Sequence, residues 1–377
     1  MPCAPAATIR TTMSQPFPRK DLGIAVIGSG RIGTLRATMA SRHAAVKFLA
    51  VADKDPARAE KLAAKTGAQF HSSDNLAVIS RPEIDAVVVA TIEVEHTLPI
   101  LQALQLGKPV LCEKPLALDL AGADKLLAAA KKAGVDLRCG YSRRFKDKYL
   151  LAKEQLTNGR LGRVTSGMAR VFNSRSQAVA TLSRLPADTS SISGLVYYVD
   201  LMHWLLPDNS PVEVFARANG GTIKGAGFAN TNDITYAIVT LKDGAVIDLG
   251  VCYALPKHYP SLGHAGRVEL IGTDGVLIID DDHTDQMMYS QHSAPHVYLP
   301  DHNVEMVFLG SGTPGDWAAG EFQGPVATET RNWLDHLSMG RPCLLANGDD
   351  ARRTIEITLA IERSIKTGAP VRLPLAA

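Results

Sequence analysis

The sequence predicts a doubly wound α/β domain with a parallel sheet, followed by an α+β domain with a large open antiparallel sheet. Three observations support this fold class: the length, a strand–turn–helix alternation that begins near residue 21, and longer alternating strands after residue 141. A chain of 377 residues exceeds the ~250 residues at which single cores stop growing. We therefore predict a flexible leader at 1–20, the first domain at 21–140 and the second at 141–377.

The first domain is predicted from short apolar runs, each followed by a turn and a stretch with helical spacing. Continuous apolar strands of this kind are covered by helices on both faces, as in βαβ units. The runs cover residues 22–27, 47–52, 85–91, 110–112 and 135–139. Capping residues mark the helix ends, namely Asp55 before Pro56, then Asp119, and the glycines Gly67, Gly107 and Gly134.

The second domain is predicted from hairpins rather than from βαβ units. Alternating strands separated by tight turns that contain glycine indicate antiparallel pairing. The predicted elements are strands at 232–241, 245–252, 267–271 and 276–280 and helices near 326–337 and 350–366.

Composition and charge exclude several classes of protein. The 40 basic and 38 acidic residues give a net charge of +2 and are spread along the chain, so we predict no nucleic-acid partner. No apolar run approaches the ~20 residues that span a membrane, and the first residues lack a signal-peptide core. The five cysteines stand far apart without the spacing of metal ligands. We therefore predict a cytoplasmic protein with reduced thiols, no membrane association and no metal site.

A glycine-rich segment, in which Gly28, Gly30 and Gly33 form G-x-G-x-x-G between the first strand and the first helix, predicts dinucleotide binding. In Rossmann domains these glycines allow a tight turn, approach of the pyrophosphate and close packing of the helix. Asp53 follows at the end of the second strand, where its carboxylate accepts the ribose hydroxyls and repels a 2′-phosphate. We predict NAD as the cofactor, with NADP left open by Lys54. The predicted contacts of this segment are Gly28, Ser29, Gly30, Arg31, Ile32, Gly33, Asp53 and Lys54.

Lys114 is the predicted catalytic residue of the first domain. It follows the fifth strand, at the carboxyl edge of the sheet where ligands bind in such folds. Its ammonium group can hydrogen-bond the reacting oxygen and favour an alkoxide-like form during hydride loss. A cis bond at Pro115 would aim Lys114 into the site; the alternative interpretation is an exposed lysine at the end of a strand.

These features make the chain resemble the family of glucose-fructose oxidoreductase, inositol dehydrogenase and MocA over nearly its whole length. The resemblance rests on GSGRIG at 28–33, EKP at 113–115, GYSRRF at 140–145, LGRV at 161–164 and the Gly-x-Asp-Gly turn at 272–275. It implies an NAD(P)-dependent oxidoreductase and a second sheet that mediates homodimers or homotetramers. It further implies cofactor contacts from Ala90, Thr91, His96, Glu113 and Lys114.

The second catalytic element of the family is an Asp-x-x-x-His pair, followed by x-x-Asp and then by an aromatic-Leu segment. This chain can be aligned with that pattern in two ways. Alignment on Asp200 places Tyr197 at the histidine position and Ser193 at the earlier aspartate. Alignment on His203 makes Asp200 and His203 the catalytic pair, with a spacing of three residues where the family has four. We prefer Tyr197, which resembles the tyrosine of some relatives. A tyrosine can transfer the proton if Lys114 lowers its pKa.

The substrate contacts are predicted only from residue type. Arginines near the crevice could receive a carboxylate with paired hydrogen bonds, and a histidine and a tyrosine in a loop of the second domain could reach the substrate. These residues are Arg144, Arg170, Arg175, His258 and Tyr259.

Three functions are consistent with these residues. The first is hydride transfer between a nicotinamide and a secondary alcohol or ketone of a small polar cyclic substrate, namely a sugar, a sugar derivative or a cyclitol. The second is oxidation of a cyclic cis-dihydrodiol, with or without a carboxylate, which Tyr197 and the arginines would suit. The third is an NAD(P)-sensing binding protein without catalysis, which the altered Asp/His element favours and which Lys114 opposes.

Overall fold

The fold is taken from a computed structural model, which describes residues 19–183, 192–228, 231–256, 265–281, 286–296, 299–309, 316–318 and 320–375. The first eighteen residues of the predicted leader lie outside these ranges. The predicted fold class is confirmed, because a parallel sheet built from the first 140 residues is followed by a mostly antiparallel sheet.

The first domain is a parallel sheet covered by helices. Its elements are β1 (Leu22–Ile27), α1 (Arg31–Arg42), β2 (Val46–Ala52), α2 (Pro56–Thr66), β3 (Phe70–Ser72), α3 (Asn75–Ile79), β4 (Ala86–Val89), α4 (Thr97–Gln105), β5 (Val110–Glu113), α5 (Leu120–Ala133) and β6 (Leu137–Gly140). These six strands run in the order β6-β5-β4-β1-β2-β3 and are parallel. Every residue of β1 is buried, as expected for a strand covered on both faces. The carboxyl ends of β1, β2, β4 and β5 therefore border one crevice.

Helix ends in this domain follow the predicted caps. The Asp55 side chain accepts from the backbone N–H of Ala57 at the start of α2, and Pro56 is the first helical residue. The Asp119 side chain caps α5 in the same way, and Gly134 closes that helix with φ of +67°. The short strand β3 was not predicted, because three residues at a sheet edge give no hydrophobic period.

The second domain begins after a short helical turn at Ser142–Phe145. Its elements are α6 (Asp147–Thr157), β7 (Val164–Ser174), α7 (Arg175–Leu182), α8 (Ile192–Leu205), β8 (Pro211–Gly220), β9 (Asn232–Leu241), β10 (Val246–Leu255), β11 (Ala265–Gly272), β12 (Val276–Asp281), β13 (Gln286–His296), β14 (Leu299–Leu309), β15 (Asp316–Ala318), β16 (Glu321–Gln323), α9 (Pro325–Met339), β17 (Ala346–Asn347), α10 (Gly348–Thr367) and β18 (Val371–Arg372). The large sheet has the order β12-β11-β7-β10-β9-β8-β18. Both predicted hairpins, β9–β10 and β11–β12, are present, and only the β7–β10 pair of this sheet is parallel among the described strands.

The two faces of the large sheet differ in burial. One face packs against α8 and α10, and its core includes Tyr198 and Ile357. On the other face Tyr236 and Ile278 are 44% and 57% exposed. None of the helices in the described ranges is long and apolar enough to cross a membrane.

The C-terminal part of the chain returns to the first domain. Strand β17 pairs with β6 in antiparallel fashion and extends the parallel sheet. Helix α9 packs against α1, where Trp333 and Leu334 are fully buried among side chains of the first domain. The first sheet thus includes residues that the sequence patterns assigned to 141–377, because a two-residue strand carries no pattern that could be detected.

Candidate active site

The loop between β1 and α1 has the shape that dinucleotide binding requires. Gly28 has φ of +98°, and a Cβ there would lie 2.5 Å from the carbonyl oxygen of Ala90. A Cβ on Gly33 would lie 1.8 Å from the carbonyl oxygen of Gly28, so α1 packs directly on the loop. A Cβ on Gly30 would meet no atom within 4 Å. The loop is therefore open where a pyrophosphate would approach the amino end of α1.

The remaining predicted residues of this loop have different surroundings. Ser29 is half-buried, and Arg31 is exposed at the first turn of α1. Ile32 packs against a small cluster that includes Phe322 and Val326 of the second domain. The loop thus lies between the crevice and the second domain.

The carboxylate of Asp53, at the end of β2, is held against the loop by two backbone N–H groups. Its Oδ2 accepts from Ser29 N at 2.7 Å, and its Oδ1 accepts from Asp55 N at 3.0 Å. A carboxylate fixed here fits the adenosine ribose of NAD. Lys54 points to the other side of the crevice, where its Nζ lies 2.7 Å from Oε1 of Glu95.

Ala90 and Thr91 directly follow β4, and His96 caps the start of α4; the family resemblance predicts that all three contact the cofactor. The His96 ring is buried, with Nδ1 2.9 Å from the carbonyl oxygen of Pro115 and Nε2 3.2 Å from that of Thr91. These two contacts hold the His96 ring between the segment that follows β4 and the segment that follows β5. Thr91 Oγ1 is buried without a hydrogen-bond partner among the described residues, as expected for a group that meets a ligand.

Lys114 and Tyr197 face each other across the domain junction. The Lys114–Pro115 bond is cis, as predicted. Helix α8 carries Tyr197, and Lys114 Nζ lies 5.4 Å from the centre of its ring. The guanidinium of Arg143 lies 5.2 Å from the same ring, and Tyr141 packs edge-on against it. Two cations therefore border the aromatic ring of Tyr197.

Both groups hold their protons at neutral pH. Burial lowers the pKa of Lys114, but Tyr197, Glu93, Tyr253 and Glu113 together raise it above the ordinary value. Burial raises the pKa of Tyr197, and the opposing effect of Lys114 and Arg143 is smaller. The expected influence of Lys114 on Tyr197 is present, but the net pKa of the tyrosine is raised rather than lowered.

Glu113 is fixed by a buried arginine. Arg36, fully buried on α1, donates from Nε and Nη2 to Glu113 Oε1 at 2.9 and 2.7 Å. Arg36 also pairs with Glu329 of α9 and donates from Nη1 to Thr330 Oγ1 at 2.8 Å. Gly140 makes room for this group, because a Cβ there would lie 2.9 Å from Arg36 Nη2. The network ties the residue before Lys114 to α1 and to the second domain.

Two protein-family models match this chain and together cover both domains. A model described as "Oxidoreductase family, NAD-binding Rossmann fold" matches residues 22–141, and one described as "Oxidoreductase family, C-terminal alpha/beta domain" matches residues 153–373. The chain belongs to this Gfo/Idh/MocA oxidoreductase family. The predictions of family, NAD cofactor and oxidoreductase activity are thereby confirmed.

Individual relatives cover most of the oxidoreductase. The uncharacterized oxidoreductase YrbE of Bacillus subtilis is 28% identical over 365 residues, which are 94% of this chain and 97% of the relative. Inositol 2-dehydrogenase of Acidothermus cellulolyticus is 31% identical over 264 residues, which are 69% of this chain and 73% of the relative.

Solved structures share the fold of the oxidoreductase. GenD2 from gentamicin A biosynthesis, in complex with NAD, superposes with a TM-score of 0.79 at 24% identity and covers 95% of this chain and 98% of its own. Scyllo-inositol dehydrogenase from Lactobacillus casei, with NAD(H) and scyllo-inositol bound, has a TM-score of 0.76 at 18% identity, covering 94% and 99%.

Asp200 and His203, the alternative catalytic pair, are buried in the oxidoreductase and have partners within the protein. Asp200 is fully buried and accepts from Nε and Nη2 of Arg144 at 2.8 and 2.6 Å. Burial raises the pKa of Asp200 to about 6, although Arg144 lowers it. His203 lies 2.8 Å from Thr354 Oγ1, and burial lowers its pKa well below the usual range. The pair joins α8 to α10, and Arg144 is bound there instead of facing a substrate.

The other predicted substrate contacts are dispersed. Arg170 lies on the uncovered face of the large sheet, with its guanidinium 4.7 Å from the ring of Phe172, so it points away from Tyr197. Arg175 begins α7 and is partly buried. His258 and Tyr259 lie outside the described residues.

Three residues around the crevice were not predicted from the sequence, namely Arg36, Glu329 and Glu95. Glu329 had a detectable signal, because it lies between the buried positions Val326 and Trp333 of an amphipathic helix, where a carboxylate needs a partner. Arg36 occupies a buried position of α1, but a single basic residue in a helix carries no such signal.

Proposed function

We propose that the oxidoreductase uses NAD to interconvert a secondary alcohol and a ketone on a sugar, a sugar derivative or a cyclitol. The observation that carries this proposal is the facing pair of Lys114 and Tyr197 at the carboxyl edge of the NAD-binding sheet. The relatives named inositol 2-dehydrogenase support the cyclitol among these classes.

Lys114 and Tyr197 can divide the work on the reacting oxygen. Bound NAD supplies the hydride acceptor. The Lys114 ammonium donates a hydrogen bond to the oxygen and stabilises negative charge on it. The Tyr197 hydroxyl exchanges the proton with that oxygen. Because both groups are protonated at neutral pH, the site is poised to donate a proton to a ketone, and alcohol oxidation becomes faster as pH rises.

The two alternative functions have less support. A carboxylated dihydrodiol was favoured by the predicted arginines, but Arg144 is bound to Asp200 and Arg170 lies on the opposite face of the sheet. A sensor without catalysis has no use for a half-buried ammonium beside a tyrosine, since an ion in that place costs desolvation energy.

The test is a substrate panel followed by the absorbance of reduced nicotinamide. Myo-inositol, scyllo-inositol, aldoses, an amino sugar and a cis-dihydrodiol are each offered with NAD⁺, and the matching ketones with NADH. Turnover on a cyclitol or a sugar supports the proposal. Turnover on the dihydrodiol alone, or binding of NAD with no turnover at all, would replace it with one of the alternatives.

Tyr197→Phe tests the proton transfer. The variant keeps the ring between the two cations, and we expect kcat/KM to fall by about 10²–10⁴-fold, the usual contribution of a general acid or base. In the wild type the rate of alcohol oxidation should rise with pH through the neutral range, because the raised pKa of Tyr197 keeps the phenol protonated there. The variant should lose this rise. A wild-type pH profile that survives in Tyr197→Phe would assign the proton to another group.

We further propose that the uncovered face of the large sheet pairs two subunits. Aromatic and aliphatic side chains are exposed on several adjacent strands, including Tyr236, Ile238, Val246, Ile271 and Ile278. Ile238→Asp should convert a dimer or tetramer to a smaller species in sedimentation velocity, because a carboxylate is costly to bury in an apolar interface. Leu98→Asp, at an exposed position of α4, is the control and should leave the oligomer intact. A wild-type monomer would disprove the pairing.

A further inference from the structure

An ion pair spans the dinucleotide crevice at its adenosine end. Lys54 directly follows Asp53 after β2, and Glu95 lies in the short helical turn after β4. In the sheet β1 lies between β2 and β4, so the two side chains approach each other across the carboxyl end of β1. Lys54 Nζ and Glu95 Oε1 are 2.7 Å apart.

We propose that Glu95 sets the preference for NAD over NADP by engaging Lys54. The chain places a cation beside Asp53, where a lysine could receive a 2′-phosphate. Glu95 accepts a hydrogen bond from Lys54 and offsets its positive charge. Selection against the phosphate therefore depends on Glu95 as well as on Asp53, although Glu95 is distant in sequence.

The charges around the end of β2 support this assignment. The second cation of this region, Arg58, lies 3.5 Å from Asp55, so each of the two cations has a carboxylate partner. With Asp53, these side chains comprise three carboxylates against two cations. A hydrogen bond from Lys54 to Glu95 and the charge of that carboxylate raise the pKa of Lys54. A 2′-phosphate dianion would enter a region of net negative charge without an unengaged cation among these groups.

Calorimetric titration of the full-length protein with NADH and NADPH tests the proposal. Glu95→Gln keeps the side-chain size and removes the negative charge that pairs with Lys54, leaving only a neutral amide oxygen as its acceptor. Because exposed ion pairs are weak, we expect NADPH affinity to increase by about fivefold and NADH affinity to change by less than about twofold. Unchanged NADPH affinity in this variant would overturn the proposal.

Three further variants make the result specific to Lys54. Glu83→Gln removes the same charge from an exposed pair with Arg81, at the opposite edge of the sheet, and should leave both affinities unchanged. In Lys54→Met/Glu95→Gln the gain for NADPH should disappear, and Lys54→Met alone should bind NADPH as the wild type does. A gain that persists in the double variant, or a loss in Lys54→Met alone, contradicts the role of Glu95. No substrate is present in these titrations, so their outcome is independent of the proposed reaction.

Discussion

Replacing Lys114 by Met lowers kcat/KM by about 10³-fold, because the reacting oxygen loses the positively charged donor that stabilises its negative charge. Methionine fills a similar volume beside the Tyr197 ring, so the crevice keeps its shape. The glycine loop and Asp53 are untouched, and we expect NADH affinity to stay within about threefold of the wild type. The measurement is steady-state turnover on the best panel substrate together with calorimetric NADH binding.

Lys125→Met is the matched control for this prediction. It removes the same charge from an exposed position of α5, outside the crevice, and should turn over at the wild-type rate. If Lys114→Met retains wild-type turnover, Lys114 is the strand-end lysine of the alternative interpretation. If it loses NADH binding together with turnover, its role is in holding the cofactor rather than in the chemistry.

Replacing Arg36 by Met destabilises the protein by about 3–5 kcal/mol, the usual cost of leaving a buried charge without its partner. Arg36 is fully buried and is shared by Glu113 and Glu329. Its loss leaves two acidic side chains close together without a cation. Urea denaturation measures the free energy of unfolding. In Arg36→Met/Glu329→Gln the loss should be smaller, because only one of the two acids remains; strictly additive effects would show that Arg36 and Glu329 do not act together.

The same network makes stability depend on pH. Burial raises the pKa of Glu329 to about 7 from its ordinary 4.5, even with Arg36 adjacent. The protonated form of Glu329 is therefore favoured in the folded state. Its contribution to the free energy of unfolding is fully present below pH 4.5 and is lost as pH rises through 7. This pKa shift corresponds to a decrease in the free energy of unfolding on the order of 3 kcal/mol.

Glu329→Gln removes this dependence, since its amide has no proton to lose. Wild type and variant should unfold at similar free energies at pH 5, and the variant should be the more stable at pH 8.5. Glu321→Gln, on the exposed strand β16, should follow the wild type at both pH values. A constant difference between wild type and Glu329→Gln across this range would mean that Glu329 does not titrate there.

The sequence predicted those parts of the fold and the crevice that depend on local patterns. Gly28, Gly33 and Asp53 lie where the motif placed them, since a strand–glycine loop–helix unit is specified by neighbouring residues. The position of Lys114 at the end of a strand was likewise predicted from the apolar run that precedes it.

The contacts that were not predicted join distant segments of the chain. Arg144 was assigned to the substrate because an arginine next to a cleft residue has the right chemistry, but its partner Asp200 lies on a distant helix, α8. The pairing of Lys54 with Glu95 likewise requires knowing that β1 separates β2 from β4 in space. No periodicity or spacing along the chain contains that information.

The antiparallel strand β17 bears on how this protein can be divided. A fragment that ends near residue 140 would expose the hydrogen-bonding edge of β6 and would lack α9, whose Trp333 fills the space beside α1. The NAD-binding domain therefore depends on the C-terminal part of the chain for its packing, although its own sequence motifs are continuous. Exchanging substrate halves between relatives requires a junction that leaves residues 324–347 with the recipient's own first domain.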